Sequence, residues 1–227
     1  MDLGAKEGGS LSNIVRVPDL VDDREDIVTR AVGILKRGGQ VVFPTEHSYA
    51  IAVDAFNVEA VLGLNSLRGA ENGTALPVMI GSPRTLNGIA RDIPPVCDLL
   101  IAALWPGLLT LVLPTSLGLA WDLGDGGALG KVAVRMPLHP LAIDILRASG
   151  PLAVTTAAPV GAPIPLDIGA LAELIVESAE LILDVGSLVS GPPSTIIDLA
   201  SDEPLLLREG AYTRDRLRQI APDLVLD

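Results

Sequence analysis

Short runs of Val, Ile and Leu alternate along this chain with segments whose apolar residues recur every three or four positions. That longer period predicts a helix over 22–37: Asp22 caps it with Glu25 three residues on, Ile27, Ala31, Ile34 and Leu35 form one stripe, and Gly38-Gly39 ends it. Apolar runs predict buried strands over 40–43 and 49–53. Asn57 then opens a helix that reaches residue 67, where Arg68-Gly69 closes it. Further strands are expected over 76–80, 108–113, 132–135, 152–155, 181–183, 195–198 and 205–207. Helices are expected from Ser82-Pro83, from Pro94-Pro95 to the stop at Pro106-Gly107, and over 139–148, 168–176 and 212–220.

Near-continuous aliphatic strands between helices point to a sheet covered on both faces. The connection from Phe43 to Tyr49 is too short for a crossover helix, so neighbouring strands there must run antiparallel. The expected fold class is therefore α/β, a twisted, mixed, open sheet with helices on both faces. The chain has 227 residues, enough to bury one sizeable core. With no internal repeat or low-complexity linker, a single domain over 14–227 is expected after a flexible tail over 1–13. That tail lacks the apolar core of a signal peptide. The longest apolar stretch, 99–114, falls short of the roughly 20 residues of a spanning helix and is interrupted by Pro106-Gly107. A soluble, cytoplasmic protein with no membrane partner is expected.

Composition narrows the function. Hydrophobic residues make up 49% and charged residues 19%, which excludes a disordered chain. Aromatics are only 3%, so the core is aliphatic. Sixteen cationic against 28 anionic side chains give a net charge of −12, and only Lys6, Lys36 and Lys131 are lysines. This balance argues against direct nucleic-acid binding, which needs a broad cationic surface, but leaves room for a small cationic pocket. The single cysteine, Cys97, excludes an internal disulfide framework, and with His47 and His139 it makes a poor pool of zinc ligands. No metal site from protein side chains is assigned; an oxygen-bound Mg²⁺ remains open.

The informative cations are arginines at the ends of apolar segments. Arg68 follows the helix from Asn57, Arg135 ends Val132-Ala133-Val134, and Arg208 ends Leu205-Leu206-Leu207. Taken singly, each is better explained as a surface ion pair. Together, where open α/β sheets bind ligands, they suggest a phosphate or carboxylate pocket. Hydroxyls accompany them at Thr155-Thr156 and Ser194-Thr195, suited either to donating to an anion or to closing turns. Between two strands, Pro44-Thr45-Glu46-His47-Ser48-Tyr49 is dense in polar groups and suits a pocket wall. His47 there is either an acid/base or carboxylate donor, or a plain hydrogen-bonding residue. No nucleophile-elbow, phosphate-loop or dinucleotide glycine signature is present.

Ordered together, several segments resemble a known family. They are Phe43-Pro44-Thr45 through Tyr49-Ala50-Ile51, Ser66-Leu67-Arg68, Trp105-Pro106-Gly107 through Thr110, and Val134-Arg135-Met136-Pro137. Thr155-Thr156-Ala157-Ala158, Ser194-Thr195-Ile196-Ile197-Asp198 and Leu207-Arg208-Glu209-Gly210 follow in the family's order and approximate spacing. This set resembles the YrdC/Sua5 group of threonylcarbamoyl-AMP synthases over about residues 20 to 215, in its short form without an extra C-terminal domain. The resemblance implies a YrdC-like domain and an ATP- and Mg²⁺-dependent nucleotidyltransferase. L-threonine, or another small amine, and bicarbonate would yield a carbamate that attacks the α-phosphate of ATP. The adenylate would then pass to a downstream transferase that modifies adenosine 37 of tRNA. It further implies ATP-binding roles for Arg68, Arg135, Thr156, Ser194 and Arg208, amino-acid-binding roles for Thr45, His47 and Tyr49, and catalytic roles for Arg68, Thr45 and Tyr49.

The departures from the pattern are local. The family's Pro-Thr-Asp-Thr-Val-Tyr-Gly reads Pro44-Thr45-Glu46-His47-Ser48-Tyr49-Ala50, so His47 replaces a threonine that helps hold the amino acid. Ser66 stands where a phosphate-binding lysine is usual, Ala158 where an asparagine is usual, and 69–74 carries a short insertion. Scaffold residues (Pro44, Tyr49, Pro106-Gly107, Pro137, Gly210) persist better than polar ones, which implies a kept fold with a changed or weakened site. The alternative function is then a catalytically impaired YrdC-like paralogue that binds nucleotide, RNA or a protein partner.

Overall fold

The computed structural model describes residues 13–17, 24–201 and 203–225. Ten strands form one mixed sheet: β1 (Ile14–Arg16), β2 (Val41–Pro44), β3 (Tyr49–Asp54), β4 (Val78–Met79), β5 (Leu109–Pro114), β6 (Lys131–Arg135), β7 (Leu152–Thr156), β8 (Leu181–Asp184), β9 (Thr195–Asp198) and β10 (Leu205–Arg208). Their order is β1-β8-β2-β3-β7-β4-β6-β5-β9-β10. The short link after Phe43 does join antiparallel neighbours, with Phe43 opposite Ala50, whereas β4 and β6, and β5 and β9, run parallel. Seven helices accompany the strands among the described residues: α1 (Arg24–Lys36), α2 (Val58–Leu67), α3 (Leu86–Ile89), α4 (Val96–Leu104), α5 (Pro140–Ser149), α6 (Glu173–Ser178) and α7 (Arg214–Ile220).

Local chemistry explains most boundaries. Asn57 caps α2 by accepting from the Ala60 amide at 3.0 Å. Asp22, the expected cap of α1, lies outside the described residues. The strand expected over 76–80 shrinks to Val78–Met79 because Pro77 has no N–H and the Leu76 amide bonds to Leu123 O instead. The helix expected over 168–176 is two pieces. Asp167 caps a 3₁₀ turn at Ile168–Ala170, Leu171 is extended, and α6 starts afresh at Glu173. The segment from Ser82-Pro83 is likewise a 3₁₀ turn running into the four-residue α3. β1 has no counterpart in the sequence reading: three residues pair in parallel with β8, beside Asn13, whose amide donates to Val176 O and Ala179 O.

Strand alternation divides the core between the two faces of the sheet. On one face Val42, Ile51, Val53, Leu109, Leu111, Leu113, Val132 and Val134 pack with Val61, Leu64, Leu100 and Leu104. On the other, Val41, Phe43, Ala50, Ala52, Leu152, Val154, Leu181 and Leu183 pack under Ala31, Ile34 and Leu35 of α1 and Leu141, Ile145 and Leu146 of α5. Register continues this second face beyond β7: Leu152 lies opposite Met79, Met79 beside Arg135, Arg135 opposite Thr110, and Thr110 beside Ile196. There the aliphatic cluster ends and a cavity opens.

Candidate active site

The cavity has a volume of about 360 Å³ and is lined at its floor by Ala50, Val154, Ala133 and Ile196, with Thr45, Thr156, Arg135, Ser194 and Arg208 among its polar walls. Five of the eight sequence-nominated side chains therefore meet in one place. Its walls also include Ser48 and Thr110, which the sequence reading did not nominate.

One wall is a hydroxyl–guanidinium cluster. Arg208 donates from Nε to Ser194 O at 2.8 Å and from Nη2 to Ser194 Oγ at 2.9 Å. Thr110 donates to the same Ser194 Oγ at 2.9 Å. Two donors occupy the lone pairs of that hydroxyl, so its own proton is left for an acceptor in the cavity. Ser194 and Thr110 are buried at 8% and 5% exposure, where such donors are strongest. The chain after β10 fits against Pro193-Ser194 only because residue 210 is glycine: a Cβ there would collide with Pro193 O and with the Ser194 carbonyl at 2.7 Å.

Next to this cluster, paired with Thr110 across β5 and β6, stands Arg135. Its Nε donates to Gly107 O at 2.9 Å, and its Nη2 pairs with Glu46, whose other oxygen accepts the Leu138 amide at 2.8 Å. Burial pushes the Glu46 carboxyl up, but the Arg135 charge and these hydrogen bonds outweigh it and hold the group below its usual range. Arg208 shifts down through burial and, secondly, through the like charge of Arg135. Two guanidiniums close enough to repel each other, with one carboxylate between the turn and the sheet, leave the cavity favourable to an anion.

Thr45, at the edge of the cavity, closes the β2–β3 turn by donating to Ser48 O at 2.8 Å. The three remaining nominated residues lie elsewhere. Tyr49 is fully buried in the core of the opposite face. Its hydroxyl donates to Gly186 O at 2.7 Å and accepts the Val185 amide at 3.0 Å, so it anchors the chain after β8 and does not line the cavity. His47 likewise stands outside the lining and bonds through Nδ1 to Val189 O at 2.8 Å. Arg68 sits at the end of α2, with Nε donating to Ala158 O at 3.3 Å, and burial pushes its pKa down. It approaches the β7 end of the cavity through that residue without lining it. Lys131 is paired with Asp198 at 3.0 Å and is not a stand-in for a missing cation. Burial, with Asp98 adding to it, pushes the Cys97 thiol up to about 12, so it is inert. Thr110 had a sequence signal: it is the one polar side chain in Leu109-Thr110-Leu111-Val112-Leu113. Glu46 had none beyond its place in a polar turn.

A family model for Sua5/YciO/YrdC, described as telomere recombination, matches residues 33–210. The chain belongs to this family. It is 38% identical, over 88% of its length and 91% of the relative's, to a protein of Mycobacterium tuberculosis named "Putative threonylcarbamoyl-AMP synthase". It is 31% identical to the threonylcarbamoyl-AMP synthase of Bacillus subtilis over 94% of this chain, which spans 62% of that protein. The fold superposes on Pyrococcus abyssi Sua5 complexed with L-threonine with a TM-score of 0.84 and 32% identity, covering 94% of this chain and 62% of that one. Within the family pattern, Ser66 is exposed on α2, and Ala158 is 6% exposed with its carbonyl taken by Arg68. Among the described residues no helix is long and apolar enough to cross a membrane.

Proposed function

We propose that this chain is a threonylcarbamoyl-AMP synthase-type enzyme that acts on ATP, L-threonine and bicarbonate. The observation that carries the reading is the convergence of Arg135, Arg208, Ser194, Thr156 and Thr45 on one cavity at the open half of the sheet. In the reaction a carbamate oxygen, formed from the amino group and bicarbonate, attacks the α-phosphorus while the bond to the β-phosphate breaks and pyrophosphate leaves. The charge that grows on phosphate oxygens calls for preorganised donors. Arg208 and the free Ser194 proton supply two; a third would come from Arg68, whose side chain has to swing in from the α2 corner because it does not line the cavity. The substrate carboxylate requires a further cation, which the unpaired edge of Arg135 offers. Thr45 and Ser48 form the hydroxyl wall that receives the amino-acid end.

Mg²⁺ would accompany the triphosphate. Among the described residues no three His, Cys, Asp or Glu side chains gather to hold a metal, and no step here runs through the ion. Release of the adenylate to a tRNA-modifying transferase completes the reading.

A second reading, a nucleotide-binding relative without turnover, is favoured by the α2 corner. Neither the Ser66 hydroxyl nor Ala158 supplies the donors of the family's lysine and asparagine. One experiment separates the two: purified protein with ATP, Mg²⁺, bicarbonate and L-threonine, followed by mass spectrometry for threonylcarbamoyl-AMP and pyrophosphate. Product lost in Arg208→Ala supports the enzyme. ATP binding without product overturns it in favour of the second reading.

A further inference from the structure

We propose that His47 is a positioning residue, a clasp that holds the segment after β8 against the β2–β3 turn and thereby orders the exposed stretch that leads to the cavity wall at Ser194. The segment 185–194 leaves the covered half of the sheet at β8, second in strand order, and enters the open half at β9, ninth in that order. It is exposed at Ser187 and from Val189 to Pro193, then becomes buried at Ser194. Tyr49 fixes its start through Gly186 O and the Val185 amide. Beyond that, the Leu188 amide bonds to Leu166 O at 2.6 Å. Among the described residues, His47 supplies the side-chain hydrogen bond to the exposed stretch, through Val189 O at 2.8 Å. At the far end Pro193 O accepts the Ala211 amide at 2.9 Å, and Arg208 and Thr110 hold Ser194. The loosely tied part is therefore 189–192, which opens readily when a tie is removed.

Gly191 makes the clasp specific. A Cβ at residue 191 would collide with the imidazole of His47 at three ring atoms. The ring lies flush against this backbone, so hydrogen bond and packing together define one arrangement. Only glycine permits it, although residue 191 does not need a left-handed conformation. His47 therefore acts through the segment, since it does not itself line the cavity. The group that the turn presents to the cavity beside Thr45 is Ser48.

This rests on the enzyme reading only for its kinetic consequence. The test is a double-mutant cycle of Gly191→Ala and His47→Ala, read by backbone NMR order parameters for Val189–Gly191 and by KM and kcat for L-threonine. Gly191→Ala should expel the ring, lower the order parameters and raise KM about 3- to 10-fold, the loss of roughly one hydrogen bond, with kcat changed less. His47→Ala should do the same. The double variant should be no worse than either single one, because the collision is gone. His47→Asn, whose amide can still donate to Val189 O, should recover part of the order. Order parameters unchanged in Gly191→Ala, or effects that multiply in the double variant, would overturn the clasp. If the parent protein shows no turnover, the enzyme reading fails, and the order parameters and their coupling still decide this one.

Discussion

One face of the sheet is built in two ways. Beneath α1 and α5 it presents Val41, Phe43, Ala52 and Leu152, all buried against aliphatic side chains. Along the same face past β7 it presents Arg135, Thr110, Ile196 and Arg208 to a cavity. The first half is held by burial, each large aliphatic side chain contributing about 1.5–3 kcal/mol. The second half has little apolar area to bury, so its polar groups have to satisfy one another: Arg135 with Glu46, and Ser194 with Thr110 and Arg208. Residues of the open half thus serve structure and ligand at once, whereas those of the covered half serve structure alone.

The largest test of that contrast is Glu46→Ala. With side chains only 13% and 9% exposed, Arg135 and Glu46 form a nearly buried pair. Removing one partner strands a charge and should cost about 3–5 kcal/mol, read as a shift in the denaturant midpoint. The pair also sets an acid limit. Because Glu46 titrates lower in the fold than its ordinary 4.5, its contribution is present above that value and is lost as pH falls through the folded pKa. His139, lowered by burial against the opposing pull of Glu46, acts in the same direction from its ordinary 6.5 downward, since the unfolded chain takes up the proton first. Glu46→Gln should flatten the lower part of this pH profile and deepen the upper part, because His139 loses the carboxylate that pulls its pKa up. An unchanged profile below pH 4.5 would break the account of the open half.

Next in size is Arg208→Ala, expected to lower the rate of adenylate formation about 10²–10³-fold. Thr110→Val follows. It keeps the shape but frees the Ser194 hydroxyl to turn away from the cavity, and should weaken ligand binding about tenfold. Thr110→Ser should restore most of it. Equal ligand affinity in Thr110→Val, measured by calorimetry with ATP or L-threonine, would show that Ser194 needs no orientation.

The same contrast governs what the sequence reveals. Covered strands such as Val41-Val42-Phe43 and helices with a full stripe, such as Ile27 to Leu35, carry their periodicity in plain view. β1 is not visible in the sequence, because three residues hold too little period to distinguish a strand from a tail. The 76–80 run has the pattern of a strand, but Pro77 breaks the ladder, and that depends on which neighbour each amide finds. At the site, arginines ending apolar runs led to Arg135 and Arg208, and their convergence follows from the register of β6, β5, β9 and β10. The contacts of Tyr49 and His47 with the chain after β8 span more than 130 residues, a separation no local pattern reports. These two residues look like site groups from their motif, and the fold uses both to hold backbone.

The smallest effect sharpens the comparison most, because the chemical change is the same in both halves. Ile145→Val removes one methyl group from beneath α5, where the side chain is fully buried, and should cost about 0.5–1.5 kcal/mol in stability with no change in ligand binding. Ile196→Val removes the same group from the cavity floor, where the side chain is only partly covered and the neighbouring space is already open. Its stability cost should stay within about 0.5 kcal/mol, while the enlarged floor changes the fit of whatever lies on it and so moves KM. Equal stability losses at the two positions would mean that Ile196 packs as core and that the face is not divided where the aliphatic cluster ends. Equal silence in KM would mean that the ligand does not reach the floor between β5 and β9, and would confine binding to the wall formed by Ser194, Arg208 and Arg135.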